Sequence, residues 1–385
     1  MSVPVTVVLP TCNAGNRFRE CAEILAKQSA NIAEVLVIDS SSDDETVDIA
    51  KDYGFHVEVI AKPYFGHGKT RQYALEKAQT EIVVFMTQDA LLNVMTAALL
   101  GIAVGFGCII YQGMHGNLRA PGFFGNPMTF GGYLCVYLPL ILVYFLDKSV
   151  LVKHRAVAGV LFLLGFAALI INGTRGSWVA LAPVFIVLMG YYSLQNKKLL
   201  AICLAFLVIA GGVLSTSKNF TYKLNTTIKR TDASTRERYA IWEGAFNMFK
   251  DHPILGVGLG QYKDNYQNKY ILKKARHRKL THAHNNVMQM LAENGIVGCV
   301  GFLTLVLYIF GSNCRDFIKR RCPYALIIAS STFALFVQGL TEYNFGNSAV
   351  MKSYWLLLGC MLVLKLWAKK SPASKVGKVV ALRKE

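Results

Sequence analysis

The sequence predicts an α-helical protein that crosses a membrane several times and carries a small α/β unit at its N-terminus. Its composition, with 53% hydrophobic and 17% charged residues, is too apolar for an ordinary soluble domain. Most apolar residues lie beyond residue 90, in runs close to the ~20 residues that span a bilayer. We therefore divide the chain into an α/β unit at 1–90, a membrane domain at 91–368 and a basic tail at 369–385.

Residues 1–90 alternate β-rich runs with helical stretches, a pattern that predicts a parallel sheet with right-handed crossovers. The predicted strands are Val3–Leu9, Glu34–Ile38, Val57–Ile60 and Ile82–Phe85. The predicted helices are Arg17–Lys27, Thr46–Tyr53 and Lys69–Ala78. Ligands of such sheets bind at the carboxyl ends of the strands, so Thr11, Asp39 and Asp89 are candidate ligand-binding residues.

Four segments of this unit resemble family 2 glycosyltransferases, most closely their rhamnosyltransferase-like branch. They read V-V-L-P-T-C-N, V-L-V-I-D-S-S-S-D-D-E-T, F-G-H-G-K-T-R and V-F-M-T-Q-D-A. The resemblance implies a Rossmann-like (GT-A) fold in which Asp39 contacts a nucleotide sugar and Asp89 holds a divalent metal on its diphosphate. Family members continue well beyond the position of Ala90, where this chain enters a membrane helix. The unit is therefore a functional fragment, a fusion relic, the product of a recombined gene or a docking module.

The membrane domain contains eight apolar runs, each a candidate transmembrane helix. They are 91–111, 128–146, 154–172, 176–193, 198–216, 296–313, 323–341 and 349–368. Clusters of Lys and Arg follow the second, fourth, sixth and last runs, and short loops rich in these residues stay in the cytoplasm. This predicts cytoplasmic N- and C-termini and four outer loops, at 112–127, 173–175, 217–295 and 342–348.

Charge and cysteine content narrow the expected partners. A net charge of +18 would suit nucleic acid, but in a multi-span protein Lys and Arg act mainly as topology signals and headgroup contacts. We therefore expect membrane lipids and not nucleic acid as partners. The nine cysteines show no CxxC or metal-ligand spacing, so neither disulfides nor a zinc site is expected. The oligomeric state is not indicated.

Two arginines lie near the predicted outer boundary of the membrane. Arg175, in G-T-R-G-S-W, is at the mouth of the fourth apolar run, where an arginine is costly unless it is paired or lies in a wet cavity. The alternative is an interfacial arginine that snorkels to water. Arg238 and Trp242, in R-Y-A-I-W, share one face of a predicted amphipathic helix. The G-V-G-L-G run that follows lacks the preceding strand of a dinucleotide site.

His284 and Asn285 lie at the outer edge of the sixth apolar run, and an ionisable residue there is a candidate functional residue. The glycines that follow at intervals of three residues predict tight packing against a neighbouring helix. They are Gly295, Gly298 and Gly301. We interpret His284 as a general base. The alternatives are a structurally satisfied histidine or a metal ligand with His282, although no carboxylate accompanies the two at ligand spacing.

Residues 119–368 resemble the C-terminal part of the O-antigen ligase and polymerase superfamily. The matching segments, in family order, are G-F-F-G-N-P, G-T-R-G-S-W, R-Y-A-I-W with F-K-D-H-P-I-L-G-V-G-L-G-Q-Y, and H-N-x9-G-x-x-G-x-x-G. The resemblance implies a GT-C-like ligase fold with functional roles for Arg175, Arg238 and His284. We also expect substrate contacts from Asn285, Trp242 and Arg119. The family's first few helices are absent, and residues 1–90 stand in their place.

The implied reaction is transfer of a glycan from undecaprenyl diphosphate to an acceptor hydroxyl, with lipid A-core as the expected acceptor, at the periplasmic face of the inner membrane. Two guanidinium groups suit the diphosphate that leaves, and a histidine suits removal of the hydroxyl proton. No metal or other cofactor is expected at this face; a divalent metal is expected only if the N-terminal unit binds a nucleotide sugar. The alternatives are an O-antigen polymerase, a protein O-glycan ligase, a transporter or scaffold, and an inactive fusion.

Overall fold

The computed structural model describes residues 4–26, 32–85, 90–117, 119–194, 233–273 and 279–370, with single positions at 201, 211, 212, 225 and 275. The chain separates into two compact units, Met1–Leu99 and Leu100–Glu385, and the division falls inside the helix Ala90–Met114.

The N-terminal unit is built on a four-stranded parallel sheet, which confirms the predicted α/β class. Strands β1 to β4 are Val5–Thr11, Ile32–Asp39, His56–Val59 and Ile82–Phe85, and their order is β3-β2-β1-β4. Helices α1 to α3 are Gly15–Ala26, Thr46–Asp52 and His67–Lys77. Thr11 and Asp39 pair in register at the carboxyl ends of β1 and β2, so these two candidate residues are neighbours. Asp89 lies outside the described residues.

Two hydrophobic clusters, one on each face of the sheet, hold this unit together. Along β1, Val7 and Leu9 belong to one cluster and Val8 to the other, as the two-residue period of a strand requires. The first cluster includes Phe18 of α1, and the second includes Ala74 of α3. Because both faces are covered, β2 reads as a continuous apolar run, V-L-V-I, without alternating polar residues.

The second unit is helical. Its longer helices, α4 to α11, are Ala90–Met114, Pro127–Leu146, Val152–Asn172, Arg175–Ser193, Ala233–Asp251, Asn286–Arg320, Pro323–Gln338 and Ser348–Lys370. Among the described residues, six helices are long and apolar enough to cross a membrane, namely α4 to α7, α9 and α11; α10 is apolar but shorter. The predicted run 198–216 lies almost wholly outside the described residues. The chain is thus a multi-pass membrane protein.

Helix α5 is the most buried of the candidate spans and packs against α6, α7, α10 and α11. It approaches α7 closely at Gly131, where a Cβ would collide with the side chains of Thr174 and Ser177. Gln338, at the C-terminal end of α10, donates a hydrogen bond to the carbonyl of Met128 in α5 (3.4 Å). These contacts fix the N-terminal ends of α5 and α7 against the C-terminal end of α10.

Helix α9 departs from the prediction in its start and in its shape. It begins at Asn286 rather than at 296, and it is kinked at Gly295, whose φ of 60° is in the left-handed region that favours glycine. A Cβ on Gly295 would collide with the carbonyl of Ile254, a loop residue, whereas a Cβ on Gly301 would meet no atom of the described residues within 4 Å. The predicted ladder of glycines facing a neighbouring helix is therefore wrong. Gly295 is required by the kink.

Candidate functional site

His284 is paired with a carboxylate that lies far away in the sequence. Its Nδ1 lies 3.1 Å from Oε2 of Glu342, a buried residue in the loop between α10 and α11. The backbone of His284 has φ 50°, which non-glycine residues rarely adopt, and its N–H donates to Nδ1 of His282 at 3.2 Å. The expectation that no carboxylate accompanies the histidines holds for the nearby sequence only. In the folded chain Glu342 occupies that place.

Burial and neighbouring charges shift the pKa values of Glu342 and His282. Burial raises the pKa of Glu342, but the hydrogen bond from His284 and the charges of His284, His282 and Arg238 outweigh it, and the net pKa lies below its usual range. Burial, with the charge of His284, lowers the pKa of His282 to about 4, although Glu342 opposes this. At neutral pH Glu342 is therefore a carboxylate, which can only accept hydrogen bonds. It follows that Nδ1 of His284 carries the proton and that Nε2 of a neutral His284 has the free lone pair.

Helix α8 brings Trp242 to the histidine loop and Arg238 close to Glu342. The indole N–H of Trp242 donates to the carbonyl of Ala283 (3.1 Å), the residue before His284. The guanidinium of Arg238 donates to Sδ of Met128 (3.6 Å) and is close enough to Glu342 to lower its pKa. The predicted shared face of these two residues is thus turned toward the histidine. Because its N–H is engaged, Trp242 would meet a substrate only through its ring.

Arg175 is the first residue of α7, and the turn before it is held in place by hydrogen bonds of the buried side-chain amide of Asn172. Asn172 donates from Nδ2 to the carbonyls of Ala120 (3.0 Å) and Pro127 (2.9 Å), and its Oδ1 accepts from the hydroxyl of Thr174 (2.5 Å). A Cβ on the following residue, Gly176, would collide with the hydroxyl of Thr341, which precedes Glu342. The start of α7 therefore lies against the loop that carries Glu342.

Asn285, predicted to contact substrate, is the N-cap of α9. Its Oδ1 accepts from the N–H groups of Val287 (2.8 Å) and Met288 (3.1 Å), and its Nδ2 donates to the carbonyl of Leu340 (2.9 Å). One N–H of the side-chain amide is left for another partner. The geometry therefore gives Asn285 first a structural role, as the residue that starts α9 directly after His284.

Asn286 fastens the same two segments together. Its N–H donates to the carbonyl of Gly339 (2.7 Å), and its Nδ2 donates to Oδ1 of Asn344 (2.7 Å). The N–H of Phe345 returns a hydrogen bond to Oδ1 of Asn286 (3.1 Å). Asn286 and Asn344 each lie two residues after a member of the His284–Glu342 pair, so this bonding holds the pair in register.

Arg119 is exposed in the loop between α4 and α5. Its N–H donates to Oδ1 of Asn117 (3.2 Å), and the next residue, Ala120, provides a carbonyl to Asn172 in the turn before Arg175. The structure thus places Arg119 on the segment next to that turn, but shows no contact between its side chain and the histidine cluster within the described residues.

In the N-terminal unit, the residues predicted to bind a nucleotide sugar bond to one another. Asp39 is fully buried; its Oδ2 accepts from the hydroxyls of Thr11 (2.8 Å) and Ser42 (2.6 Å), and its Oδ1 accepts from the N–H of Ser42 (2.7 Å). The position at two adjacent strand ends suits a ligand. However, the carboxylate is already satisfied by its own chain, and Asp89 lies outside the described residues, so we derive no catalytic step through a metal or sugar nucleotide here.

His282, His284 and Glu342 also form a group with metal-ligand chemistry. One donor atom from each lies within 4.8 Å of the others. Ligands of a tetrahedral zinc ion, bound at about 2.0–2.1 Å, are separated by roughly 3.4 Å. Nδ1 of His284 lies 3.1 Å from Oε2 of Glu342, and Nε2 of His282 lies 3.9 Å from Oε1 of Glu342, so these separations are of that order. A metal ion on Nδ1 of His284 would have to replace its hydrogen bond to Glu342, and this hydrogen-bonded pair is the arrangement on which the proposal below is based.

Comparison with known proteins gives two separate matches. Residues 160–303 match the O-antigen ligase family, and residues 6–97 match glycosyl transferase family 2. The first match includes Arg175, Arg238 and His284. Together the two matches support a transferase function of the O-antigen ligase or glycosyltransferase type.

Individual relatives divide in the same way. An O-antigen chain rhamnosyltransferase of Salmonella anatum is 42% identical over 88 residues, which are 22% of this chain and 28% of that protein. A putative polysaccharide ligase of Rickettsia conorii is 29% identical over 148 residues, 36% of this chain and 33% of that protein. An uncharacterized protein of Haemophilus influenzae is 27% identical over 214 residues, 48% of this chain and 53% of that protein. The chain therefore spans about half, or less, of the length of these relatives.

Proposed function

We propose that this protein transfers a glycan from undecaprenyl diphosphate to an acceptor hydroxyl, with lipid A-core as the acceptor, at the periplasmic face of a bacterial inner membrane. The observation that carries the proposal is the His284–Glu342 pair, which lies against the start of α7 and faces Arg238. A second support is the match of residues 160–303 to O-antigen ligases. Both termini would then lie in the cytoplasm.

His284 acts as the general base in this proposal. Glu342 accepts a hydrogen bond from the N–H at Nδ1 and orients the ring, so that Nε2 takes the proton from the acceptor hydroxyl. The hydroxyl oxygen forms a bond with the anomeric carbon of the glycan. The bond from that carbon to the diphosphate oxygen breaks, and its electron pair leaves with undecaprenyl diphosphate. No step requires a metal or other cofactor.

The two arginines stabilise the leaving diphosphate. A guanidinium group stays charged and can bind two phosphate oxygens at once. Arg175 adds its charge to the N-terminus of α7, where the helix dipole also favours an anion. Arg238, on α8, would bind from the side of the histidine loop. The negative charge that develops on the diphosphate would thus be dispersed over two separate elements.

Substitution of Arg175 by lysine is expected to lower the rate of transfer by about 10²-fold, because lysine offers a point charge and not a bidentate donor. The rate should be measured in membranes with a labelled lipid-linked glycan, at matched protein levels. Arg236→Lys, at an exposed position of α8, is the control and should keep the original rate. If Arg175→Lys were as active as the unsubstituted protein, Arg175 would be an interfacial arginine that snorkels to water.

Expression in a Gram-negative host that lacks its own ligase but makes the lipid-linked glycan tests the proposal as a whole. The expected result is a ladder of glycan-bearing lipid A-core on a lipopolysaccharide gel. Longer lipid-linked chains without modified lipid A-core would indicate a polymerase, and glycan on protein would indicate a protein O-glycan ligase. Either result, or no product despite protein in the membrane, would contradict the proposed acceptor.

A further inference from the structure

The kink in α9 exposes backbone groups that a loop outside the helix then satisfies. At Gly295 the helix breaks, and the N–H groups just after the break have lost their partners within the helix. The N–H of Ile296 donates instead to the carbonyl of Pro253 (2.9 Å), and the N–H of Val297 donates to that of Ile254 (3.4 Å). The carbonyl groups of the loop thus take the place of the missing helical partners at the start of the second part of α9, from Ile296 to Arg320.

The N–H groups of the same loop also cap the first part of α9, which precedes Gly295. The N–H of Val257 donates to the carbonyl of Ala292 (2.9 Å), and the N–H of Gly258 donates to that of Glu293 (2.9 Å). In water, solvent would satisfy these groups at little cost. In hydrocarbon, each unpaired group costs several kcal/mol, and irregular backbone is tolerated only where protein or a wet cavity satisfies it. Bonding on both sides of the break is therefore what a kink at membrane depth requires.

Three apolar side chains of this loop are exposed, whereas Val257 packs against the hydrophobic core. Leu255 is 69% exposed and Leu259 is 76% exposed, and Ile254 is similarly open. The backbone of the loop is hydrogen-bonded to α9 directly after the kink, where Ile296, Val297 and Val300 are exposed. These three residues lie in the predicted apolar run 296–313 of a candidate membrane span, so we expect this face to meet lipid. Because the backbones are hydrogen-bonded across Gly295, the loop continues this lipid-facing surface.

We propose that Pro253–Gly260 is a re-entrant loop whose leucines insert into the hydrocarbon of the nearer leaflet, where they contact lipid acyl chains. The polar flank fits this depth: the exposed ion pair between Lys269 and Asp251 (2.8 Å) stays in the aqueous or headgroup region. The loop was predicted to belong to the outer aqueous segment 217–295. In this proposal the G-V-G-L-G run stabilises a helix kink within the membrane, and the proposal does not depend on which reaction the protein catalyses.

Cysteine labelling of the full chain in open membrane fragments, where reagent reaches both faces, tests this placement. Leu255→Cys is compared with Lys263→Cys, an exposed position after the loop, and labelling of the unsubstituted chain is subtracted. A membrane-impermeant maleimide should label Leu255→Cys at least about tenfold more slowly than Lys263→Cys, because hydrocarbon disfavours the reactive thiolate. After SDS treatment the two should label equally. Leu259→Cys should behave as Leu255→Cys does.

Three results would overturn the placement. Equal rates in membranes would put the loop in water. Slow labelling at Lys263→Cys as well would mean that the whole segment is shielded in some other way. Protection of Leu255→Cys that faded as the protein was diluted with lipid would identify a second copy of the chain, and not acyl chains, as the cover.

Discussion

Replacement of His284 by alanine is expected to lower the rate of glycan transfer by about 10²–10⁴-fold, the usual contribution of a general base. The expectation rests on the geometry of the pair: Glu342 holds the Nδ1 proton, and alanine leaves no lone pair where Nε2 was. Asn285 would still cap α9, and Trp242 would still bind the carbonyl of Ala283, so the fold should survive. The measurement is the initial rate of transfer in membranes, with the level of inserted protein determined in parallel.

His252→Ala is the matched control, because His252 is exposed at the end of α8 and has no part in the proposed mechanism. It should leave the rate unchanged. If His284→Ala retained the full rate with both variants equally inserted, the general-base assignment would be wrong, and another group would have to remove the proton of the acceptor hydroxyl.

Of the residues at the candidate site, Arg238 and His284 could be predicted from the sequence, and Glu342 was missed. Arg238 and His284 were identified by their position at a membrane boundary and by a family resemblance, and the structure brings both to Glu342. Glu342 itself was missed because 58 residues separate it from His284. One signal was present: a polar run, T-E-Y-N, that interrupts two apolar segments in a predicted outer loop. A buried acid there is costly unless it is paired, so the run could have been taken as a partner for the histidine.

The helix start at Asn286 could also have been predicted. An asparagine directly before an apolar run is a usual N-cap, and that role would have been the first interpretation of Asn285. The kink at Gly295 could not have been predicted. A glycine in an apolar run can adopt either a helical φ or a positive φ, and the sequence does not distinguish the two. At Gly295 the positive φ is stabilised by a segment distant in the sequence, Pro253–Gly258, whose carbonyl and N–H groups replace the broken hydrogen bonds of the helix.

The strands of the N-terminal unit, by contrast, were predictable because their signals are local. The apolar runs give β1 to β4 within a few residues, and the parallel direction of the strands follows from the intervening helices. The two-residue period of the strands could not predict that Asp39 would accept three hydrogen bonds from Thr11 and Ser42. That detail depends on the conformation of the loop after β2, where Ser41 has φ 52°.

Substitution of Glu342 by glutamine is expected to lower the transfer rate by about 10²–10⁴-fold while the protein still inserts, since an amide in this place can donate to His284 and favour the wrong tautomer. With its N–H group toward Nδ1, glutamine would put the ring proton on Nε2, where the acceptor hydroxyl must lose its own proton. Glu342→Asp keeps the charge on a shorter side chain and should retain more activity than glutamine. Glu243→Gln, at an exposed position of α8, serves as the control and should be neutral.

The pattern across these variants separates positioning from mere packing. Glutamine fills the same volume as glutamate, so a packing role for Glu342 predicts that Glu342→Gln is active and that the shorter Glu342→Asp is the weaker variant. The proposed role predicts the reverse order, because only a carboxylate accepts the proton of Nδ1 without offering one in return. Binding of the lipid-linked donor, measured separately, should change little in Glu342→Gln, because the proposed mechanism assigns binding of the diphosphate to Arg175 and Arg238. A donor affinity that fell together with the rate would place Glu342 in the structure of the binding site rather than behind the base.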